Sequence, residues 1–137
     1  MSVPATTAPN WSPLLRAEAA CVLAAALFAY AHTGSSWGWF AALFLLPDIA
    51  LLAYVVGPLC GAFCYNACHS YIAPLLLGVM AYGYGYGDAP FALSVALVWV
   101  AHIAFDRVLG YGLKSRQGFA VTHLCLIGHA KALAAHA

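Results

Sequence analysis

Charge is what this sequence has least of. Its 137 residues include five Lys or Arg and four Asp or Glu, together 7%, where soluble domains carry roughly 25%. A soluble fold of this length needs a charged surface, and so few charges cannot supply one. The net charge of +1 leaves no basic patch for nucleic acid. Five cysteines, an odd number, exclude a fully paired disulfide framework. Cys60, Cys64 and Cys68 repeat every four residues on one helical face and read as soft packing residues. No phosphate-cradling glycine loop, nucleophile motif or haem-attachment signature occurs.

What the sequence has is apolar length. The apolar fraction is 65%, against roughly 45–50% in soluble domains. Residues 1–13, MSVPATTAPNWSP, read as a flexible N-terminal tail. Four apolar runs follow, at 14–31, 37–56, 59–80 or 81, and 89 or 90 to 109, each near the ~20 residues that cross a bilayer as a helix. Strand alternation is missing, and a lone chain in lipid must satisfy its backbone as helix or closed barrel. The expected fold is an all-α integral membrane protein: four transmembrane helices in an antiparallel bundle over 14–110. Residues 111–137 would be a C-terminal segment with a short interfacial or re-entrant helix, packing on the bundle. Gly57-Pro58 leaves almost no loop between the second and third runs, so those two form an antiparallel hairpin. Ala29 and Ala31 offer a leader-cleavage pattern, but Glu18 and the single Arg16 ahead of the apolar core argue against it. Arg16 precedes the first run, and Arg107, Lys114 and Arg116 end or follow the fourth, which puts both termini on the cytoplasmic side.

This topology assigns a depth to each buried polar residue. At about 1.5 Å per residue, Glu18 lies roughly 6 Å, Asp48 roughly 12 Å and His69 roughly 15 Å from the cytoplasmic face. Asn66 is about one turn shallower than His69. His102 and Asp106, spaced i and i+4, share one helical face in the same half of the bilayer. An ionisable group at such depth costs about 2.5–3.5 kcal/mol on insertion scales and usually turns inward to a partner. The expectation is therefore that these residues meet.

Three uses of such a cluster stay open. The first is a divalent metal site, zinc or iron/manganese, with one or two ions held by Glu18, Asp48, His69, His102, Asp106 and His123. Tyr65, Asn66, Tyr111 and Lys114 would then orient ligands or substrate. The second is a proton relay or polar gate in a small transporter. The third is a polar network that only fixes helix packing, as in an accessory subunit of a larger membrane complex. Pro47 removes a backbone donor just before Asp48 and predicts a kink there. Arg107 and Lys114 read as topology determinants, or as anion-binding groups over a cavity mouth.

The stretches RAEAACVL (16–23), LLPDIALLAY (45–54), YNACHSY (65–71), AHIAFDRVLGYGLK (101–114) and FAVTHL (119–124) together resemble the bacterial membrane family called domain of unknown function 4260. The resemblance covers nearly all of the chain past the tail. It implies a small multi-pass protein of the bacterial inner membrane and supplies no reaction. A looser likeness, to membrane-bound metal-dependent hydrolases, carries no residue across.

The reading that uses most of these residues is an integral membrane metalloprotein of metal-dependent hydrolase type. Its substrate would be lipid-like or otherwise apolar. Oxidative chemistry at two ions would use the same ligand types. The partners expected are the lipid bilayer and, through Gly- and Ala-rich faces, a second copy or a larger membrane complex.

Overall fold

The structure is a computed structural model that describes residues 12–84, 89–115 and 118–122. The four apolar runs appear as six helical pieces: α1 (Ser12–Ala31), α2 (Trp37–Phe44), a 3-10 helix (Leu46–Val55), α3 (Pro58–Cys68), α4 (Ile72–Tyr84) and α5 (Ala89–Leu109). Two short strands, β1 (Lys114–Ser115) and β2 (Gly118–Thr122), pair antiparallel after them. Among the described residues, three stretches are long and apolar enough to cross a membrane: Ser12–Ala31, Trp37–Val55 and Phe91–Leu109. Large apolar side chains face outward, among them Val55, Phe63, Val79 and Tyr82, as a bilayer environment requires.

Helix α5 is the axis of the fold, with α1, α2 and α4 packed against it. Alanine at Ala19 and Ala26 of α1, and at Ala96, Ala101 and Ala104 of α5, keeps the buried faces small, so backbones approach closely. Two contacts fix α1 and α5 as antiparallel. Arg16 Nε, at the start of α1, donates to the carbonyl of Val108 at 2.7 Å, near the end of α5. Past the end of α1, the Ser35 hydroxyl meets that of Ser94, near the start of α5, at 2.7 Å. Ser36 caps α2 by accepting from the Trp39 amide, and Tyr30 donates to the Ser36 carbonyl. Trp39 meets Phe91, and Phe44 meets Phe105, so α2 runs parallel to α5.

The second and third runs are not the continuous helices expected from their length. The second changes from α to 3-10 at Leu45, because Pro47 has no amide to donate and crowds the preceding turn. This is the kink expected at Pro47, extended over ten residues of tighter helix. The third breaks at His69-Ser70-Tyr71, a break the sequence reading did not expect. Pro74 leaves the Ser70 carbonyl without its i+4 donor, and its ring clashes with that turn. Both breaks fall beside a polar residue, Asp48 in one and His69 in the other.

The hairpin expected at Gly57-Pro58 is present. Gly57 sits at φ 153, a conformation that side chains disfavour, and Pro58 opens α3. The 3-10 helix packs on α3 so closely that a Cβ on Gly61 would overlap the Tyr54 ring. The cysteine stripe expected to pack points partly outward: Cys60 is exposed, and Cys64 and Cys68 are half-buried. The expected C-terminal helix lies on residues that begin, at 118–122, as strand, while 123–137 are outside the described residues.

Candidate metal centre

Four side chains from three of the apolar runs meet at the two helix breaks. Asp48 comes from the 3-10 helix, His69 from the cap of α3, and His102 and Asp106 from successive turns of α5. One ligand atom from each lies within 4.8 Å of all the others. His69 Nε2 is 3.5 Å from both Asp48 Oδ1 and Asp106 Oδ2. His102 Nε2 is 3.5 Å from Asp48 Oδ1 and 4.0 Å from Asp106 Oδ2. The two Nε2 atoms are 3.1 Å apart.

These spacings suit a single ion. Metal–ligand bonds of about 2.0–2.2 Å in a tetrahedron put ligand atoms about 3.3–3.6 Å apart. Three of the five distances above equal 3.5 Å, and the other two fall on either side. Charge agrees with geometry. With both carboxylates ionised and both imidazoles neutral, the group is doubly negative in an apolar surrounding, and one divalent cation neutralises it.

Neighbouring groups hold these side chains in place. His69 Nδ1 donates to the Tyr65 carbonyl at 3.0 Å, which leaves Nε2 bare and aimed at the centre. The Tyr65 ring stacks on the His69 ring, 3.7 Å between centroids and 11° between planes. The Tyr65 hydroxyl donates to Asp106 Oδ2 at 3.0 Å, the same oxygen that faces the imidazoles. Phe44 meets His102 edge to face at 5.1 Å. Trp99 Nε1 donates to the Cys68 carbonyl at 2.6 Å and so pins the end of α3 next to His69. Buried His102 Nδ1 has no hydrogen-bond partner among the described residues.

Burial differs sharply among the four. The side chains of His69 and His102 are 3% and 2% exposed, Asp106 17% and Asp48 41%. Asp48 is thus the member of the group open to whatever surrounds the protein. On the other side a small cleft holds about 10 Å³, room for about one water, between Tyr65, His69, Asp106, Arg107 and Tyr111. Arg107 is held over the Tyr71 ring, 4.2 Å from its centroid, inside the break of the third pass.

The other expected site residues are placed as follows. Tyr65 is in the cluster. Asn66 is half-buried on α3, and Tyr111 borders the small cleft with its amide bonded to the Asp106 carbonyl. Lys114 opens β1. Glu18 stands exposed on α1 and is not in the group of four. His123 lies outside the described residues. Sequence reasoning missed Phe44 and Trp99. Trp99 carried a signal, lying one helical turn before His102 on α5.

A family model, Domain of unknown function (DUF4260), matches residues 12–127. The chain belongs to this family. No curated protein and no solved structure matches, and nothing in these comparisons supports the looser likeness to metal-dependent hydrolases.

Proposed function

We propose that this DUF4260 protein is an integral membrane metalloprotein that holds one divalent cation, zinc or iron/manganese, on Asp48, His69, His102 and Asp106. It would sit in the bacterial inner membrane with both termini and the metal on the cytoplasmic side. The observation that carries the reading is the convergence of one potential ligand atom from each of four side chains, on three separate apolar runs, within 4.8 Å. One ion needs neither Glu18 nor His123.

The chemistry that fits best is hydrolysis of an apolar ester or amide. Bound there, the cation would act as a Lewis acid toward a water and the acyl carbonyl. Tyr65 fixes Asp106, and Arg107 and Tyr111 border the cleft, where a single water has room beside His69 and Asp106. Asn66 and Lys114 are the further candidates for contacts to substrate. Asp48, the most exposed ligand, is the one able to swing aside and free a coordination position.

Elemental analysis of the detergent-purified protein tests the reading. The expected result is one equivalent of metal, lost in His69→Ala and His102→Ala and retained in Glu18→Ala. A stable wild-type protein that never retains metal contradicts it.

One contact favours a second reading. The 3.1 Å between the two Nε2 atoms is hydrogen-bond length, so the group can also form an imidazole–imidazole–carboxylate chain without an ion, as in a proton relay or a structural network. A metal-free protein whose Asp48→Asn variant loses ion flux alone would select the relay.

A further inference from the structure

Near the group of four, though lined by none of its members, lies an apolar cavity of about 150 Å³. Leu43, Leu46, Pro47, Cys68, Val95 and Trp99 line it. Pro47 is the chain neighbour of Asp48, Cys68 that of His69, and Trp99 lies one turn before His102, so the cavity draws its wall from the same three chain segments as the group of four. Along α5 the two spaces lie on opposite sides of His102. Val95 and Trp99 precede it, while Ile103, Asp106 and Arg107, which line the polar cleft, follow it. A larger apolar groove between α4 and α5, about 380 Å³, contains no chain neighbour of the ligands. The apolar cavity and the polar cleft thus lie near the same four side chains without sharing a lining residue.

We propose, resting on the metal reading above, that this cavity takes the alkyl chain of a short single-chain acyl ester or amide, with its carbonyl at the four ligands. Size argues for a short chain. A cavity of about 150 Å³ accepts a molecule the size of benzene, so about six carbons fill this one. A membrane phospholipid, with two long chains, exceeds it. In the reaction, the oxygen of water bonds to the acyl carbon, and the bond from that carbon to the alkoxy oxygen or amine nitrogen breaks. One proton of the water goes to the leaving group and the other is released as the acid ionises.

The test uses the full chain in lipid nanodiscs and octanoic acid carrying a photoreactive diazirine on its chain. Adduct positions are mapped by peptide mass spectrometry, with unlabelled alkanoates from acetate to dodecanoate as competitors. Adducts are expected on Leu43, Cys68 and Trp99. Competition should strengthen about fourfold per methylene, from about 0.8 kcal/mol each. It should level off once about six carbons are buried. Val95→Trp, and separately Leu43→Trp in case the first fails to fold, fills the cavity and should lower labelling about tenfold or more, the loss of two methylenes of burial. Adducts scattered over outward-facing helix surfaces, with competition rising steadily with chain length and unchanged in both variants, would mean partition into the bilayer and overturn the proposal. The same labelling on chelator-treated protein, with metal content measured beside it, separates the two readings. Cavity labelling in a protein that never holds metal keeps the cavity and ends the metalloprotein. Bound metal with scattered labelling does the reverse.

Discussion

Tyr65→Phe isolates a single atom of the proposed centre. The ring that stacks on His69 at 3.7 Å stays, and so does the backbone carbonyl that takes the His69 Nδ1 proton. Only the hydroxyl that donates to Asp106 Oδ2 at 3.0 Å is lost. Removing such an outer partner of a ligand typically weakens metal binding about 10- to 100-fold. In free energy that is about 1.4–2.7 kcal/mol, the range expected for a hydrogen bond to a charged acceptor. Folding should change far less than binding, because the deleted group leaves a carboxylate that still faces two imidazoles. Competition between the detergent-solubilised protein and a chromophoric chelator measures the affinity, and thermal unfolding without metal measures the fold. Unchanged affinity would refute the argument that Tyr65 holds a metal ligand. Equal losses in affinity and in metal-free stability would refute it too, by showing a packing role.

Two further outcomes follow from the backbone. Gly61→Ala places a Cβ in the Tyr54 ring and should destabilise the hairpin by about 1–3 kcal/mol, read as a lower unfolding midpoint and relieved by adding Tyr54→Ala. Pro74→Ala returns a donor to the Ser70 carbonyl and removes a ring clash of about 3 kcal/mol, so helix should extend through His69–Tyr71. Circular dichroism should then show more helix, while metal affinity falls because His69 loses its position at the break.

The helical runs were legible because apolar stretches of about bilayer length alternate with Gly- and Pro-rich joints, but the third run is two short helices rather than one span. Gly57-Pro58 was legible as a hairpin, since two residues cannot connect anything but antiparallel neighbours. Counting residues from one face brought Asp48, His69, His102 and Asp106 to similar depth, and that is the group the fold brings together. Depth does not fix azimuth, however. Glu18 shares the cytoplasmic half yet lies on an exposed face of α1. The outward turn of Cys60 escaped for the same reason: a stripe at helical spacing marks a face without saying what the face meets. The 3-10 form of residues 46–55 leaves no mark in composition, because apolar residues fill all its sides. Pro74 was visible, but its consequence was not, since a proline in a helix can bend it or break it. That break frees His69 to cap α3 and point at its partners.

The most direct test of the central claim is X-ray absorption at the metal edge of zinc-loaded protein. The account predicts two imidazole nitrogens and two carboxylate oxygens at about 2.0–2.2 Å. Failure of zinc, iron and manganese alike to bind contradicts it, as would sulfur scatterers at about 2.3 Å, which would place the ion on the cysteine stripe of α3.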